Sequence, residues 1–103
     1  MTQKTYAGIN LEVTEEGYML EKNLWTKAIA TAIAQEENIT LNDKHFAIIE
    51  FLRDKVAKGE GLTIRSIGKS GIVDIKGFYE LFPGAPLKLA TRIGGLSKPI
   101  SCV

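Results

Sequence analysis

The chain has 103 residues, of which 45% are apolar and 24% charged, and its formal net charge is +1. That length supports one domain with a modest core, and that balance excludes a disordered chain. A near-neutral charge gives no general drive toward nucleic acid or lipid, and no apolar run approaches the roughly 20 residues of a membrane helix. The opening MTQKTYAGIN carries no signal-peptide core. One cysteine cannot form an internal disulfide, so a reducing, cytoplasmic setting is expected.

In KTYAGINLEVTEEGYML, Ile9, Leu11 and Val13 fall on one side of an alternating run. The TEEG turn then leads to a short second run, Tyr18 to Leu20, which predicts an N-terminal β-hairpin. Such a hairpin must lie against the rest of the domain. Asn23 is placed to cap a helix carrying Leu24, Ala28, Ile29, Ala32 and Ile33 at helical spacings. Thr40 and Asp43 resemble a capping box before a helix with Phe46, Ile49, Leu52 and Val56 in one stripe, stopped at Gly59. Thr63 caps a short helix through Ile67, and Asp74 caps another through Phe82, ended by Pro83. Pro86 suits the first turn of a last helix, Leu87 to Ile93, closed by Gly94 and Gly95. The expectation is a single, mainly α domain over 1–103: about five helices, a hairpin in front, and 94–103 as a mobile C-terminal arm.

Most of the polar residues read as ordinary. His45 lacks cysteine or histidine partners for a metal and is expected to pack or face solvent. The pairs Glu15/Glu16 and Glu36/Glu37 fall in turns or helix ends and read as solvated surface. KGEG and GKSG lack the spacing of a phosphate loop and read as turns. LTIRSIGKSGIVDIKGFYELF has the order helix, turn, helix, but its second helix sets Asp74 and Glu80 beside Lys76. A DNA-reading helix needs polar or basic groups facing base edges, so direct nucleic-acid binding is not expected here.

Cys102 is different, because it lies one residue from the end, behind a Gly-Gly break and a proline. The residues from Gly95 to Cys102 can extend on the order of 25 Å, enough to carry a sulfur into a partner's cleft. A swinging thiol suits carriage better than catalysis in place, which needs a fixed base and oxyanion donors. An isolated thiol is only a few per cent ionised at neutral pH. Arg92 and Lys98 favour the thiolate, the Val103 carboxylate opposes it, and activation is expected mainly from a partner's site.

YELFPGAPLKLATRIGGLSKPISCV resembles the C-terminal signature of the DsrC/TusE sulfur-relay family. The matching residues are Leu81, Phe82, Pro83, Pro86, Lys88, Ala90, Ile93, Gly95, Leu96, Lys98, Pro99 and Cys102. EEGYML, LWTKAIATAIAQEENI, HFAIIEFLRD and LTIR extend the likeness over nearly the whole chain. The resemblance implies a helical domain with a small hairpin and a mobile arm. It also implies a sulfurtransferase-type persulfide carrier, in which Cys102 takes sulfur from a donor resembling the TusBCD complex. The acceptor would be a tRNA thiolase making 2-thiouridine, or the partner would be dissimilatory sulfite reductase. No cofactor or metal is implied.

Family members of the sulfite reductase branch carry a second cysteine eleven positions before the penultimate one. Here that position is Thr91, so an internal trisulfide cannot form and the single-cysteine, TusE-like branch is favoured. Ala85 replaces a family glycine, Gly94 an alanine, and Ser97 the proline of GLPKP. The last change predicts a more flexible arm. The segment after LTIR is shorter than is typical. Arg65, Lys88, Arg92, Lys98 and Pro99 are expected to dock partners or position the arm. The alternatives are an accessory, gamma-type partner of sulfite reductase, or a helix-turn-helix regulator with a redox-sensing cysteine.

Overall fold

The computed structural model describes residues 2–100. Strands β1 (Thr2–Tyr6) and β2 (Ile9–Val13) pair antiparallel, with Thr2 opposite Val13 and Tyr6 opposite Ile9. The Ala7–Gly8 turn between them has φ of 53° and 78°. Positive φ at both central positions matches the twist of the strands it joins. The expected hairpin is therefore present, but its turn precedes β2 instead of coming after it. The predicted turn also forms, with the Gly17 N–H donating to the Thr14 carbonyl at 2.9 Å. Beyond that turn, a single bridge from Val13 to Met19 takes the place of the expected second strand. An alanine in left-handed backbone is uncommon, and that concealed the earlier turn.

Five α-helices come next among the described residues: α1 (Lys27–Glu36), α2 (Asp43–Ala57), α3 (Ile64–Gly68), α4 (Ile75–Leu81) and α5 (Pro86–Ile93). This is the mainly helical class expected. Three starts coincide with the sequence reading. Thr63 accepts from the Ser66 N–H, Asp74 from the Gly77 N–H, and Pro86 occupies the first turn of α5. Two caps differ. Lys22–Leu24 form one 3-10 turn, and Thr26, not Asn23, caps α1 by accepting from the Ile29 N–H at 3.2 Å. Trp25 must be extended there (φ −64°, ψ 138°) to carry its indole across the domain, so the helix cannot start earlier. Asn42 caps α2, in a capping box completed by His45 rather than by Thr40 and Asp43.

The core joins Tyr6, Leu11 and Val13 of the hairpin to Ile29 and Ile33 of α1 and to Ile48, Ile49 and Leu52 of α2. Ile67, Phe78, Phe82, Leu87, Ile93 and Leu96 also belong to it. Helix α5 lies at its centre, packing on α1, α2 and α4. No helix among the described residues is long and apolar enough to cross a membrane.

His45 is buried and joins two parts of this core. Its Nδ1 accepts from the Asn42 N–H at 3.1 Å, and Nε2 lies 2.9 Å from the Leu81 carbonyl. An acceptor at Nδ1 assigns the proton to Nε2. The ring also stands edge-on to Phe82, 5.0 Å between centroids. His45→Ala removes this packing and leaves a cap donor and a carbonyl without their partner. It is expected to cost about 2–4 kcal/mol in a chemical denaturation curve. A change below about 0.5 kcal/mol would contradict that role.

Candidate functional site at the end of α5

The segment leading to Cys102 leaves from the end of the central helix. The Gly94 N–H donates to the Ala90 carbonyl and the Leu96 N–H to the Thr91 carbonyl, each at 2.9 Å. Gly95 adopts φ 70°, the left-handed geometry of a glycine helix end. Thr91 is fully buried, and its hydroxyl donates back to the Leu87 carbonyl at 2.8 Å.

Two side chains from other elements hold this corner. The Trp25 indole N–H donates to the Ile93 carbonyl at 2.8 Å. From α2, Arg53 donates to the Gly94 carbonyl at 2.6 Å and to the Lys22 carbonyl at 2.9 Å. Its guanidinium lies over the Trp25 ring, 4.5 Å from the centroid, and burial lowers its pKa. A side chain on Gly95 would begin 2.5 Å from a Trp25 ring carbon. Helix-terminal carbonyls that usually face water are thus taken by an indole and a guanidinium stacked on each other.

Beyond Leu96 the chain turns outward. Ser97 and Lys98 are exposed, with Lys98 3.0 Å from the Glu16 carboxylate. Pro99 is buried again, beside a cleft of about 470 Å³ walled by Val56, Leu62 and Thr63. Ile100 is fully exposed. The segment 94–103, expected to be an arm, therefore begins with three buried residues.

Arg92 faces the other side of α5 and binds both carboxylates ending α1, at 2.5 Å to Glu37 and 2.6 Å to Glu36. Glu36 also meets Lys4 at 3.2 Å and accepts from the Tyr6 hydroxyl at 2.9 Å. Burial pushes the Glu36 carboxyl up, but Tyr6, Lys4 and Arg92 together outweigh it and hold the group below its ordinary value of 4.5. A lowered carboxylate pKa contributes stability above the unfolded-state value and loses it as pH falls through the folded-state value. Wild-type melting temperature is therefore expected to fall on acidification below about pH 5, and Glu36→Gln to flatten that fall. Parallel pH profiles for the two proteins would contradict this.

The structure separates the residues predicted for the site. Arg92 and Lys98 converge on the Glu16–Tyr18 turn. Both act to lower the Tyr18 pKa, which burial and Glu16 raise. Pro99 closes the cleft described above. Arg65 lies apart, in a groove of α3 and α4 with Lys69, Lys76 and exposed Ile75. Lys88 is half-buried on α5, with no ion pair among the described residues. Cys102 lies outside the described residues. The sequence reading assigned no role to Trp25 or Arg53 and took Glu16, Glu36 and Glu37 as solvated surface, whereas all three glutamates are ion-pair partners. A lone tryptophan before a helix cap and an arginine within an apolar stripe were the available signals. Among the described residues, no cluster of three or more His, Cys, Asp or Glu side chains could hold a metal.

The comparisons agree with this architecture. The family model described as "DsrC like protein" matches residues 5–103. Sulfurtransferase TusE of Escherichia coli strain K12 is 34% identical over 106 aligned residues, covering 95% of this chain and 97% of that protein. Among solved structures, Allochromatium vinosum DsrC superposes with a TM-score of 0.81 at 34% identity, covering 98% of this chain and 97% of that one. The oxidized gamma-subunit of dissimilatory sulfite reductase (DsrC) from Archaeoglobus fulgidus reaches 0.84 at 31% identity, covering 99% and 100%. The chain belongs to the DsrC-like protein family.

Proposed function

We propose that this protein is a sulfur-relay carrier in which Cys102 cycles between thiol and persulfide. The observation that carries the reading is the thiol inventory. Cys102 is the only cysteine, and position 91 holds a buried threonine whose hydroxyl is bonded within its own helix. Two-thiol chemistry within one chain is thereby excluded, while single-thiol carriage remains. Relatives named sulfurtransferase at 34% identity support the same class.

The Cys102 thiolate attacks the outer sulfur of a donor persulfide. A new S–S bond forms at Cys102, the donor's S–S bond breaks, and the donor leaves as a thiolate with that electron pair. Delivery repeats the exchange toward an acceptor. No cofactor enters either step. The proposed setting is the cytoplasm, with a TusBCD-like donor complex and a tRNA thiolase forming 2-thiouridine. The 94–103 segment serves as the arm, moving beyond its buried root at 94–96. Arg65 and Lys88 dock partners, Lys98 and Pro99 guide the arm, and Arg92 fixes the helix from which it departs.

Intact-mass spectrometry after incubation with a cysteine desulfurase, cysteine and a TusBCD-like complex tests the reading. A gain of one sulfur on the peptide bearing Cys102, absent in Cys102→Ser, is expected. No gain with any donor, while the thiol still alkylates, would overturn it. A second reading, a gamma-type partner of dissimilatory sulfite reductase, is favoured by the superposition on the Archaeoglobus fulgidus subunit. Stable co-purification with that enzyme would support it.

A further inference from the structure

We infer that Trp25 and Arg53 are positioning residues for sulfur transfer: they fix the point and direction from which the chain bearing Cys102 leaves the domain. The inference rests on the carrier reading and adds a specific device to it. Two successive carbonyls at the end of α5, those of Ile93 and Gly94, are held by donors from two distant parts of the chain. Ordinary helix ends leave such groups to water or to local backbone. Here a second donation from Arg53 reaches the Lys22 carbonyl, tying the corner to the segment that presents Trp25. The stacked guanidinium and the absence of a side chain at Gly95 let the indole lie directly on the backbone.

This arrangement bears on transfer because the reacting sulfur sits seven residues beyond Gly95. A tether anchored at a fixed root sweeps a limited volume, so its tip has a high effective concentration at a donor site on which the domain has docked. A root free to rotate spreads the same tip over a larger volume. Docking is unchanged, but productive encounters become rarer. Loosening the root therefore lowers the rate within the complex and leaves the affinity of the domain as it was.

The test compares wild type with Trp25→Phe/Arg53→Met, which keeps an aromatic ring and an apolar stem but removes the three donations to carbonyls. Both proteins are studied well below their melting temperatures. Sulfur uptake from the persulfidated donor complex is expected to show kcat lowered about tenfold and KM within twofold. Alkylation of Cys102 by iodoacetamide should proceed at the wild-type rate. Arg53→Lys, which retains a donor toward Gly94, should recover most of the loss when paired with wild-type Trp25. An unchanged kcat in the folded double variant would overturn the inference. A raised KM with unchanged kcat would also overturn it, by making the pair a docking surface.

A second readout needs no sulfur donor. A nitroxide on Cys102, the only thiol, broadens nearby amide resonances. In wild type the broadened amides should form one bounded patch; in the double variant the patch should widen and weaken. If wild type accepts sulfur from no donor, the carrier reading falls, and the nitroxide footprint alone judges the anchor. An identical footprint in both proteins would overturn it.

Discussion

Gly95→Ala lowers the melting temperature by roughly 10–25 °C, while Gly84→Ala, also at positive φ, lowers it by only about 5–10 °C. Both glycines have positive φ, 70° at Gly95 and 94° at Gly84. Each alanine therefore takes on left-handed strain of about 1–2 kcal/mol. The positions differ in what the new methyl meets. At Gly84 nothing lies within 4 Å, whereas at Gly95 three Trp25 atoms lie at 2.5–2.8 Å. Trp25 cannot yield easily, since its indole is bonded to Ile93 and covered by Arg53. Overpacking of this kind adds about 1–3 kcal/mol. Thermal denaturation of both variants measures the difference, and coincident melting curves would mean that Trp25 does not hold this corner.

Cys102→Ser has the larger consequence for activity and almost none for the fold. A serine hydroxyl is not ionised at neutral pH and forms no S–S bond, so uptake and delivery of sulfur should fall a thousandfold or more, to background. Thr91 cannot take over the exchange, since it carries no sulfur and is fully buried. Among the described residues the core runs from the hairpin through Leu96. The expected melting temperature of Cys102→Ser is within about 1–2 °C of wild type, the effect of exchanging one small side chain for another of similar size. Substantial sulfur transfer by this variant would sink the carrier reading.

How much of the fold is legible in the sequence depends on how far each signal reaches along the chain. Thr63, Asp74 and Pro86 act on backbone within three residues, so their helix starts can be read locally. Gly59, at φ 76° just past α2, also ends its helix by local means. Thr26 escapes such a reading because the helix start there depends on Trp25, which is bonded to a residue 68 positions away. Gly94 and Gly95 read as a break before an arm. Their actual setting, a backbone corner beneath an indole, comes from contacts across the whole fold. Arg92 shows the same limit, since its partners Glu36 and Glu37 lie more than fifty positions upstream. Lone charges on a helix carry no sign of what they will meet. The family signature, by contrast, is a contiguous string that needs no fold to be recognised.

The most direct measurement traces isotopically labelled sulfur through the protein. The donor complex is charged with heavy sulfur, the protein is reisolated, and the Cys102 peptide is weighed before and after mixing with a tRNA thiolase and its tRNA. A carrier predicts label on that peptide within the first turnover, then loss of the label from the peptide in step with its appearance as thiouridine. Label that reaches the tRNA without passing through Cys102, or that stays on the peptide when the acceptor is added, would contradict carriage in this route.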